Sequence, residues 1–515
     1  MSEDDPDDFS IGDPEDSPPD GGGKKPKAKR RRRDISTLVL SEIDLFRGAD
    51  HKPYAGVRYS RGHVETMLVT GRTFELHLRG VAHDIHGVII SAAALRAALD
   101  MAEMRALGSG DVRRVWRRTA EVDGEHWLDM GGGDPKGERR AIRITAAGWA
   151  IVPAEDVPVF FIRSDDALPL PEPMPGEAQY GDLRSFINVQ GEDDVLLIWA
   201  FLVCALRAFL GKGAYPLISV IGEAGGGKST FCLLLHLLID PSTVTLIGLS
   251  EDVRDYAAIL PTRHVVSFDN LSGCSASISD LFSRVATGGV HIARQLNTNG
   301  ELYTAKLLNP LILNGIADSF GRPDLQERTL VIALERPAER RTDSEVHAEF
   351  ERLRPALLGL LLDGLSAAIR NLPNTVVEDA PRMADAAHWA EAAAPGLGIE
   401  PGRIVAAWRS NRGAMERAAL SVDDLARSII TLLDEVERDS GRAEWRGEPA
   451  ELHRRLSDIA GERVTKSRLW PSNAAGMSNA LRRIVGPLRN VHGIEITKGK
   501  GGADSTRWVS VRRGP

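Results

Sequence analysis

Residues 222–229 have the sequence Gly222-Glu223-Ala224-Gly225-Gly226-Gly227-Lys228-Ser229. An apolar run over 217–221 precedes this stretch and predicts a buried strand, and an amphipathic pattern over 228–238 follows it and predicts a helix. Glycines let successive backbone N–H groups face an anion at the positive end of the following helix. The stretch therefore fits a Walker A phosphate-binding loop.

The residue types of the loop predict a nucleotide site. Lys228 supplies a mobile positive charge for the β- and γ-phosphates, and the hydroxyl of Ser229 suits Mg²⁺ that is carried in on the nucleotide. We therefore expect ATP and Mg²⁺ as cofactors. The predicted nucleotide-binding residues are Gly222, Glu223, Ala224, Gly225, Gly226, Gly227, Lys228, Ser229 and Thr230.

A second strand, predicted over 264–270, ends in an acid. Asp269 follows a mostly apolar run, as in a Walker B strand, and would hold Mg²⁺ through water. A buried strand whose last Asp caps a turn has the same pattern, but the spacing of about forty residues from the loop favours the metal role. Asn270 stands where many such ATPases have a glutamate as general base. An amide orients water without accepting its proton, so hydrolysis is slow or uses a carboxylate that the sequence does not identify.

A hairpin and another strand follow. The turn sequence Asn297-Thr298-Asn299-Gly300 separates strand-like runs at 290–296 and 301–308, which predicts a β-hairpin. The apolar run 310–316 contains Asn314, which we expect beside the γ-phosphate as a polar sensor.

Two arginines follow this sensor strand. Arg322 and Arg328 are placed to reach the nucleotide of a neighbouring subunit, because a guanidinium is always charged and presents a planar fork to phosphate oxygens. A surface pairing with Asp324 and Glu327 is the alternative, and it has more weight for Arg322 than for Arg328.

Residues 215–335 resemble the core of superfamily 3 helicases, especially the replicative helicase-primase branch of poxviruses, phages and plasmids. From about residue 50 onward the chain is similar to a group of phage and mobile-element ATP-binding proteins. The matching positions include Phe268-Asp269-Asn270-Leu271-Ser272, Ala286-Thr287-Gly288-Gly289, Arg294, Tyr303, Ile312-Leu313-Asn314-Gly315-Ile316, Arg322-Pro323-Asp324-Leu325 and Pro381-Arg382-Met383-Ala384-Asp385.

The resemblance implies a hexameric ring whose hairpins line a central channel and move on single-stranded DNA. Arg294 and Lys306 are then the channel candidates. The predicted tip, Asn297 to Gly300, has no Lys or His, so its own grip on phosphates would be weak.

The predicted fold class is α/β. A P-loop NTPase core of the AAA+-like, superfamily 3 helicase type lies between an amino-terminal α+β domain and a carboxy-terminal winged-helix domain. The predicted segments are a disordered tail (1–34), the α+β domain (35–167), a proline-rich linker with a helical segment (168–211), the ATPase core (212–340), a helical lid or spacer (341–419) and the winged helix (420–515).

Within the amino-terminal domain, short patterns predict strands at 57–59, 73–78, 141–144 and 149–152, and a helix at 92–105.

The last fifty residues are basic. Eleven Lys or Arg face two acids between Arg463 and Arg513, and the last hundred residues predict three helices, at 425–436, 449–460 and 474–485, followed by a hairpin at 494–511. We expect Arg482, Arg483, Lys498 and Lys500 to contact duplex DNA. A winged helix that only binds protein or caps the fold is the alternative.

Composition limits the remaining possibilities. The chain has 515 residues, 43% of them apolar, and a net charge of −8. Nine acids and then a basic block at 24–33 indicate a tail that cannot fold, which is a nucleic-acid arm, an import signal or a solvated segment. Three cysteines without metal-ligand spacing favour a reducing compartment, so we expect a cytoplasmic protein. The longest apolar stretch, 195–206, predicts a buried helix and no membrane partner.

Two functions fit the sequence. The first is a DNA-dependent ATPase, a ring-forming replicative helicase of a phage or mobile element. The second is a nucleotide-gated switch that controls assembly or DNA binding with little ATP turnover, and Asn270 keeps it open.

Overall fold

The computed structural model describes thirteen stretches of the chain. These are residues 35–59, 64–131, 139–189, 191–208, 213–222, 225–250, 252–271, 275–294, 302–315, 323–335, 341–467, 470–501 and 506–514.

A small sheet and two helices form the first layer. Its elements are α1 (Ile35–Leu38), β1 (Asp44–Gly48), β2 (Pro53–Arg58), β3 (Val64–Leu68), α2 (Arg72–Asp84), α3 (Ala92–Gly108) and β4 (Val112–Arg113). The strand order is β3-β2-β1-β4, with β1 and β4 parallel and the other pairs antiparallel. Apolar side chains of α2 and α3 share one buried cluster with β2 and β3. The predicted helix at 92–105 is therefore confirmed.

The predicted strand at 73–78 is wrong, because this stretch belongs to α2. Phe74, Leu76 and Leu78 alternate as they would in a strand, but Phe74, Leu78 and Ala82 are the positions that the helix buries. Leu76 is 52% exposed. Glu75 accepts two hydrogen bonds from Arg79 one turn further along, a pairing that stabilises a helix.

A second sheet continues the amino-terminal half. The strands that follow are β5 (Val115–Trp116), β6 (Thr119–Val122), β7 (Glu125–Asp129), β8 (Arg140–Thr145), β9 (Gly148–Pro153) and β10 (Phe160–Phe161), of which β6 to β9 form the second sheet and β5 and β10 a separate two-stranded sheet. Strands β6 to β9 form an antiparallel meander, and β10 pairs with β5. The predicted strands at 141–144 and 149–152 are confirmed.

The proline-rich linker makes specific contacts. Leu168 N donates to Pro241 O over 2.8 Å, Leu170 N donates to Met130 O over 2.8 Å, and Met174 N donates to Pro355 O over 2.9 Å. Helix α4 (Glu192–Ala205) follows and is buried from Val195 onward, as its apolar sequence predicts. Its Trp199 indole donates to Tyr180 O over 2.9 Å, which satisfies a buried donor.

A five-stranded parallel sheet forms the centre. Its elements, with an inserted hairpin, are β11 (Leu217–Gly222), α5 (Lys228–Ile239), β12 (Leu246–Gly248), α6 (Val253–Ile259), β13 (Val266–Leu271), α7 (Ala276–Thr287), the hairpin β14 (Gly289–Arg294) and β15 (Leu302–Leu307), β16 (Leu311–Gly315), α8 (Pro323–Gln326) and β17 (Thr329–Leu334). The strand order is β12-β13-β16-β11-β17. A mixed α/β fold with a parallel sheet is thus confirmed.

Three further helices share one hydrophobic core with α4, α5 and the central sheet: α9 (Asp343–Asn371), α10 (Ala384–Ala393) and α11 (Arg403–Val422). Residues Asp343–Asn374 are long and apolar enough to cross a membrane, by length and composition alone. However, 67% of their most apolar stretch is buried inside the protein, where it packs with α4 and the central sheet. A core helix of a globular fold has this burial.

The second sheet rests on the far half of α9. Trp149 Nε1 donates to Asp363 Oδ1 over 2.9 Å, and Ser366 Oγ donates to Thr145 O over 2.7 Å. Leu128, Ile142 and Ile144 belong to the same buried cluster as α4, α5 and α9. The predicted boundary at 167 thus separates two parts of one hydrophobic core; the division into domains itself stays a prediction.

The carboxy-terminal region contains α12 (Asp424–Ser440), β18 (Glu444–Gly447), α13 (Pro449–Thr465), α14 (Ala474–His492), β19 (Ile494–Gly501) and β20 (Thr506–Arg513). The three helices and the hairpin β19–β20 are where the sequence predicts them. Strand β18 was not predicted. It pairs with β20, so the sheet has three strands in the order β18-β20-β19.

Gly359 offers a test of how the linker is held. A Cβ at this position of α9 would lie 2.1 Å from Met174 O, a backbone atom, whereas a Cβ at Gly80 in α2 would meet nothing within 4 Å. We predict that Gly359→Ala destabilises the protein by about 1–3 kcal/mol, because overpacking outweighs the gain in helix propensity. Gly80→Ala should stabilise by up to about 1 kcal/mol. Calorimetric unfolding of both full-length variants measures this, and an unfolding temperature of Gly359→Ala at or above wild type contradicts the close packing.

Candidate nucleotide site

The strand order brings three functional positions to one edge of the sheet. Strand β16 lies between β11 and β13, and all three are parallel, so their carboxyl ends meet. Gly222 ends β11, Asp269 lies near the end of β13, and Asn314 lies near the end of β16. The pairing of β13 with β16 shifts register between Phe268 and Leu271, around Asp269. Ligands of open parallel sheets bind at such an edge.

The loop between β11 and α5 needs its glycines. Gly222, Gly225 and Gly227 have φ of +154°, +80° and +83°, values that other residues adopt only with strain. A Cβ on Gly222 would also lie 2.8 Å from Leu334 O. Glu223 and Ala224 lie outside the described residues, so their predicted contacts remain predictions.

Lys228 begins α5, and its ammonium bends back over the loop. Its Nζ donates to Gly222 O over 2.9 Å. The positive charge is therefore at the mouth of the loop, beside the N–H groups of the first turn of α5, where an anion is favoured.

Ser229, Asp269 and Asn314 form one hydrogen-bonded cluster. Asn314 Nδ2 donates to Ser229 Oγ over 3.1 Å and also to Asp269 Oδ1, while Ser229 Oγ donates to Asp269 Oδ1 over 3.5 Å. Asn314 is only 4% exposed. The three residues thus come together, as the sequence predicts. They are 40 and 45 residues apart along the chain, so the fold alone brings them into contact.

The cluster has ligands that suit Mg²⁺. A serine hydroxyl and a carboxylate are hard oxygen ligands, and Asp269 adds a negative charge. In the part of the chain that the structure describes, no three His, Cys, Asp or Glu side chains lie close enough to hold a metal ion by themselves. The position of Asn270 in β13 is described, but its side chain is not, so its role stays a prediction.

The far end of α5 is anchored in a buried polar network. His236 Nδ1 lies 2.9 Å from Ser267 Oγ on β13, and its Nε2 lies 3.2 Å from Ser242 Oγ. Asp240 accepts from Val265 N over 2.9 Å and from Arg118 Nε over 2.7 Å. These bonds fix α5 against β13, which sets the separation of Ser229 and Asp269.

Burial changes the protonation of this network. It lowers the pKa of His236 to about 4, since the imidazolium would lose its hydration. Burial alone would raise the pKa of Asp240, but the charge of Arg118 and the Val265 N–H outweigh it, and the net pKa lies below its ordinary value. Both groups are therefore held in fixed states at neutral pH, His236 neutral and Asp240 ionised.

The hairpin β14–β15 forms a two-stranded sheet of its own and lies between α7 and β16 in the chain. Its register pairs Val290 with Lys306 and Ile292 with Thr304, so these four residues share one face. All four are exposed, with Val290 at 51% and Ile292 at 61%. The backbone of Arg294 pairs with Leu302, while the Arg294 side chain and the hairpin tip lie outside the described residues.

Arg328 is held within its own chain. It pairs with Asp324, donates to Asp324 O over 2.6 Å, and its side chain is 13% exposed. The bond from Arg328 keeps the pKa of Asp324 below its ordinary value. Arg382 completes this cluster through Asp324 and Glu327 and is 49% exposed. To reach a neighbouring subunit, Arg328 would have to leave these contacts. Arg322 lies outside the described residues.

The predicted DNA-contacting residues at the carboxy terminus fall into two groups. Lys498 Nζ donates to Ser478 O over 3.4 Å, and burial together with the nearby charge of Arg482 lowers its pKa. Arg482 of α14 and Lys498 of β19 are therefore neighbours. Arg483 instead lies 3.9 Å from Asp423. Nothing is described of the Lys500 side chain.

Sequence reasoning missed two residues beside the loop. Asp343, the first residue of α9, accepts a hydrogen bond from Thr230 Oγ1 over 3.2 Å. Asn188, before α4, accepts from Glu335 N over 2.8 Å, and its amide nitrogen lies 3.8 Å from where a Gly227 Cβ would be. The first turn of a helix favours Asp in any case, so the sequence has no signal that separates Asp343 from an ordinary first-turn acid.

Two protein-family models match this chain, one over the central region and one over the carboxy-terminal region. Residues 182–411 match the model of the actinomycete integrative conjugative element (AICE) replication protein, RepA. Residues 425–515 match the model of the AICE RepA C-terminal domain. Together the two matches span more than half of the chain. The chain belongs to the AICE RepA family of replication proteins. The matched part of this RepA-family chain includes the loop, the strand-end cluster, the hairpin and the basic carboxy-terminal region.

Other comparisons add little. No curated protein matches the sequence. Three solved structures of the NrS-1 C-terminal region have a weak similarity to this chain. Two are its A form without ligand, with 12% and 10% identity, 93% of this chain and 98% of that chain covered, and TM-scores of 0.38 and 0.39. The third apo structure has 12% identity, 94% and 100% coverage, and a TM-score of 0.37. Such TM-scores do not define a shared fold.

The pKa of His236 leads to a pH prediction. Between pH 6.5 and about 4 the unfolded protein binds a proton here that the folded protein does not, so stability should fall as the pH drops through this window. We predict that His236→Asn is less stable than wild type at pH 7 but loses less of its remaining stability between pH 7 and 4.5. Urea unfolding at several pH values measures both effects, with His51→Asn, at an exposed position outside this network, as a control. Parallel stability curves for wild type and His236→Asn would contradict the assignment.

Proposed function

We propose that this RepA-family protein is a DNA-dependent ATPase that acts as a ring-forming replicative helicase of its mobile element. The observation that carries the proposal is the cluster of Ser229, Asp269 and Asn314 at the mouth of a glycine loop that ends in Lys228. A loop that binds phosphate, a hydroxyl and carboxylate for a metal, and an amide that can orient water are what phosphoryl transfer to water needs.

ATP and Mg²⁺ fit the residues of this site. The loop N–H groups and Lys228 would bind the phosphates, and Ser229 with Asp269 would hold the metal. Bound Mg²⁺ would neutralise charge on the phosphate oxygens. Asn314 already donates to both metal-binding side chains and so keeps them in position. The core is accordingly proposed to be a P-loop NTPase of the superfamily 3 type.

Two surfaces are proposed to meet DNA. The exposed hairpin face that contains Lys306, together with Arg294, would meet a single strand in the channel of a hexamer. The Arg482–Lys498 neighbourhood between α14 and β19 would meet duplex phosphates, as in a winged helix whose helix and hairpin contact the same site. A phosphate between these two neighbouring positive charges would attract both and offset their mutual repulsion, which supports a phosphate contact there.

A nucleotide-gated switch with little turnover is the second candidate. Asn270 favours it, because an amide at this position cannot accept a proton from water. Asp269 accepts hydrogen bonds from both Ser229 and Asn314, which favours the proposed role of metal ligand over that of a free base. The two candidates share ATP binding and differ in turnover.

ATP turnover with and without single-stranded DNA, together with a mass measurement in ATP, tests the proposal. The helicase predicts a ring and faster ATP turnover in the presence of single-stranded DNA. The switch predicts ATP binding without a ring and without stimulation.

Lys228→Ala should abolish binding of a fluorescent ATP analogue, because it removes the charge over the loop. Lys306→Ala is the matched control and should bind the analogue normally. Unchanged affinity of Lys228→Ala would refute the nucleotide site.

The salt dependence of DNA binding tests the carboxy-terminal surface. Arg482→Ala should weaken binding to duplex DNA and reduce the slope of log affinity against log salt by about 1, because one phosphate contact is lost. Arg438→Ala, an exposed position on α12, should leave the slope unchanged. Equal slopes for wild type and Arg482→Ala would place the duplex contact elsewhere.

A further inference from the structure

Helix α9 begins at the proposed nucleotide loop. Asp343 is its first residue and accepts the hydrogen bond from Thr230 Oγ1, two residues after Lys228. The helix does not need Asp343 as a cap, because Thr342 and Glu345 form a complete capping box. The Asp343 carboxylate is therefore available for its hydrogen bond with Thr230 of α5.

The two hydroxyls in the first turn of α5 have different partners. Ser229 is bonded to Asp269 and Asn314, the proposed metal end of the site, whereas Thr230 is bonded to Asp343. If the terminal phosphates lie at the metal end, the phosphate nearest the nucleoside lies toward Thr230. A phosphate there needs the Thr230 hydroxyl as a donor, and it carries the same sign of charge as Asp343.

The other end of α9 contacts the amino-terminal half of the protein. Asp363, Ser366 and Arg370 bond the turn between β8 and β9, through Trp149 Nε1, Thr145 O and Ala146 O. The helix spans about 43 Å at 1.5 Å per residue; its second half, from Ala356 to Ala368, is buried at nearly every position, whereas most of its first half is exposed or partly exposed. The helix is continuous past Pro355, whose carbonyl accepts from Met174 N over 2.9 Å, and it therefore links its first turn to its buried second half.

We propose that Asp343 is the positioning residue through which α9 senses the nucleotide. A phosphate beside Thr230 takes over its hydroxyl and repels the carboxylate, which releases the first turn of α9. The amino-terminal sheet, resting on the same helix, then responds to nucleotide occupancy. This inference depends on the proposed nucleotide site, and it assigns the residues at 35–167 a role in reading the nucleotide state.

Nucleotide affinity gives the first test. Asp343→Asn removes the repulsion, so it should bind fluorescent ADP and ATP about three- to tenfold more tightly than wild type, both alike because both carry the phosphate nearest the nucleoside. Asp193→Asn is the matched control: the same change at an exposed residue in the first turn of α4. It should bind like wild type. Circular dichroism confirms that each variant is folded.

Hydrogen–deuterium exchange gives a readout independent of affinity. In wild type, ADP should speed exchange over 343–350 and alter it over 141–152. Asp343→Asn and Thr230→Val should exchange fast over 343–350 without ADP, and ADP should add little. If wild type binds nucleotide but Asp343→Asn binds no more tightly, or ADP slows exchange at 343–350, the sensing role is refuted while the nucleotide site stands. If wild type binds no nucleotide, both proposals fail.

Discussion

Hydrogen bonding between Asn314, Asp269 and Ser229 is the constraint on which the central part of the molecule depends. It is possible only because β16 lies between β11 and β13 and because all three strands run in one direction. Asn314 on the middle strand is one strand spacing, about 4.8 Å, from the strand of the loop on one side and from the strand of the acid on the other. At the other end of α5, hydrogen bonds of His236 with Ser267 and of Asp240 with Val265 hold this helix against β13. The chemistry of the site is thus decided by topology rather than by any local motif.

The amino-terminal half is bound to this centre more tightly than its sequence suggests. Its second sheet shares a hydrophobic core with α4, α5 and α9, and Arg118 bonds Asp240 at the end of the loop helix. The ion pair is buried on both sides, so removing either partner would leave an uncompensated charge. The linker is held across α9 by the same packing, with Gly359 beneath Met174.

The sequence predicted three of the five strands of the central sheet, β11, β13 and β16, because each is a short apolar run that ends at a glycine or a polar residue; β12 and β17 were not predicted. Residues Lys228, Ser229, Asp269 and Asn314 were all predicted, and the structure places them together. Contacts between segments that are far apart in the chain could not be predicted from the sequence. The segment at 73–78 was misjudged because Phe74, Leu76 and Leu78 satisfy both periodicities, and only the packing against α3 and the sheet decides between them. Asp343 and Asn188 were missed since each looks like an ordinary residue near a helix start. The short strand β18 was missed because its pairing with β20 connects positions more than sixty residues apart.

The shared core also governs how the protein can be divided. A fragment starting after the proline-rich segment would keep every residue of the loop and the strand-end cluster, yet it would expose the face of α9 that Ile142 and Ile144 cover and leave Asp240 without Arg118. This fragment would have an exposed apolar surface and a buried carboxylate without its ion-pair partner. If it were insoluble, that result would give no information about nucleotide binding by the loop. Limited proteolysis should accordingly spare the junction near 167, although its proline-rich sequence resembles a hinge.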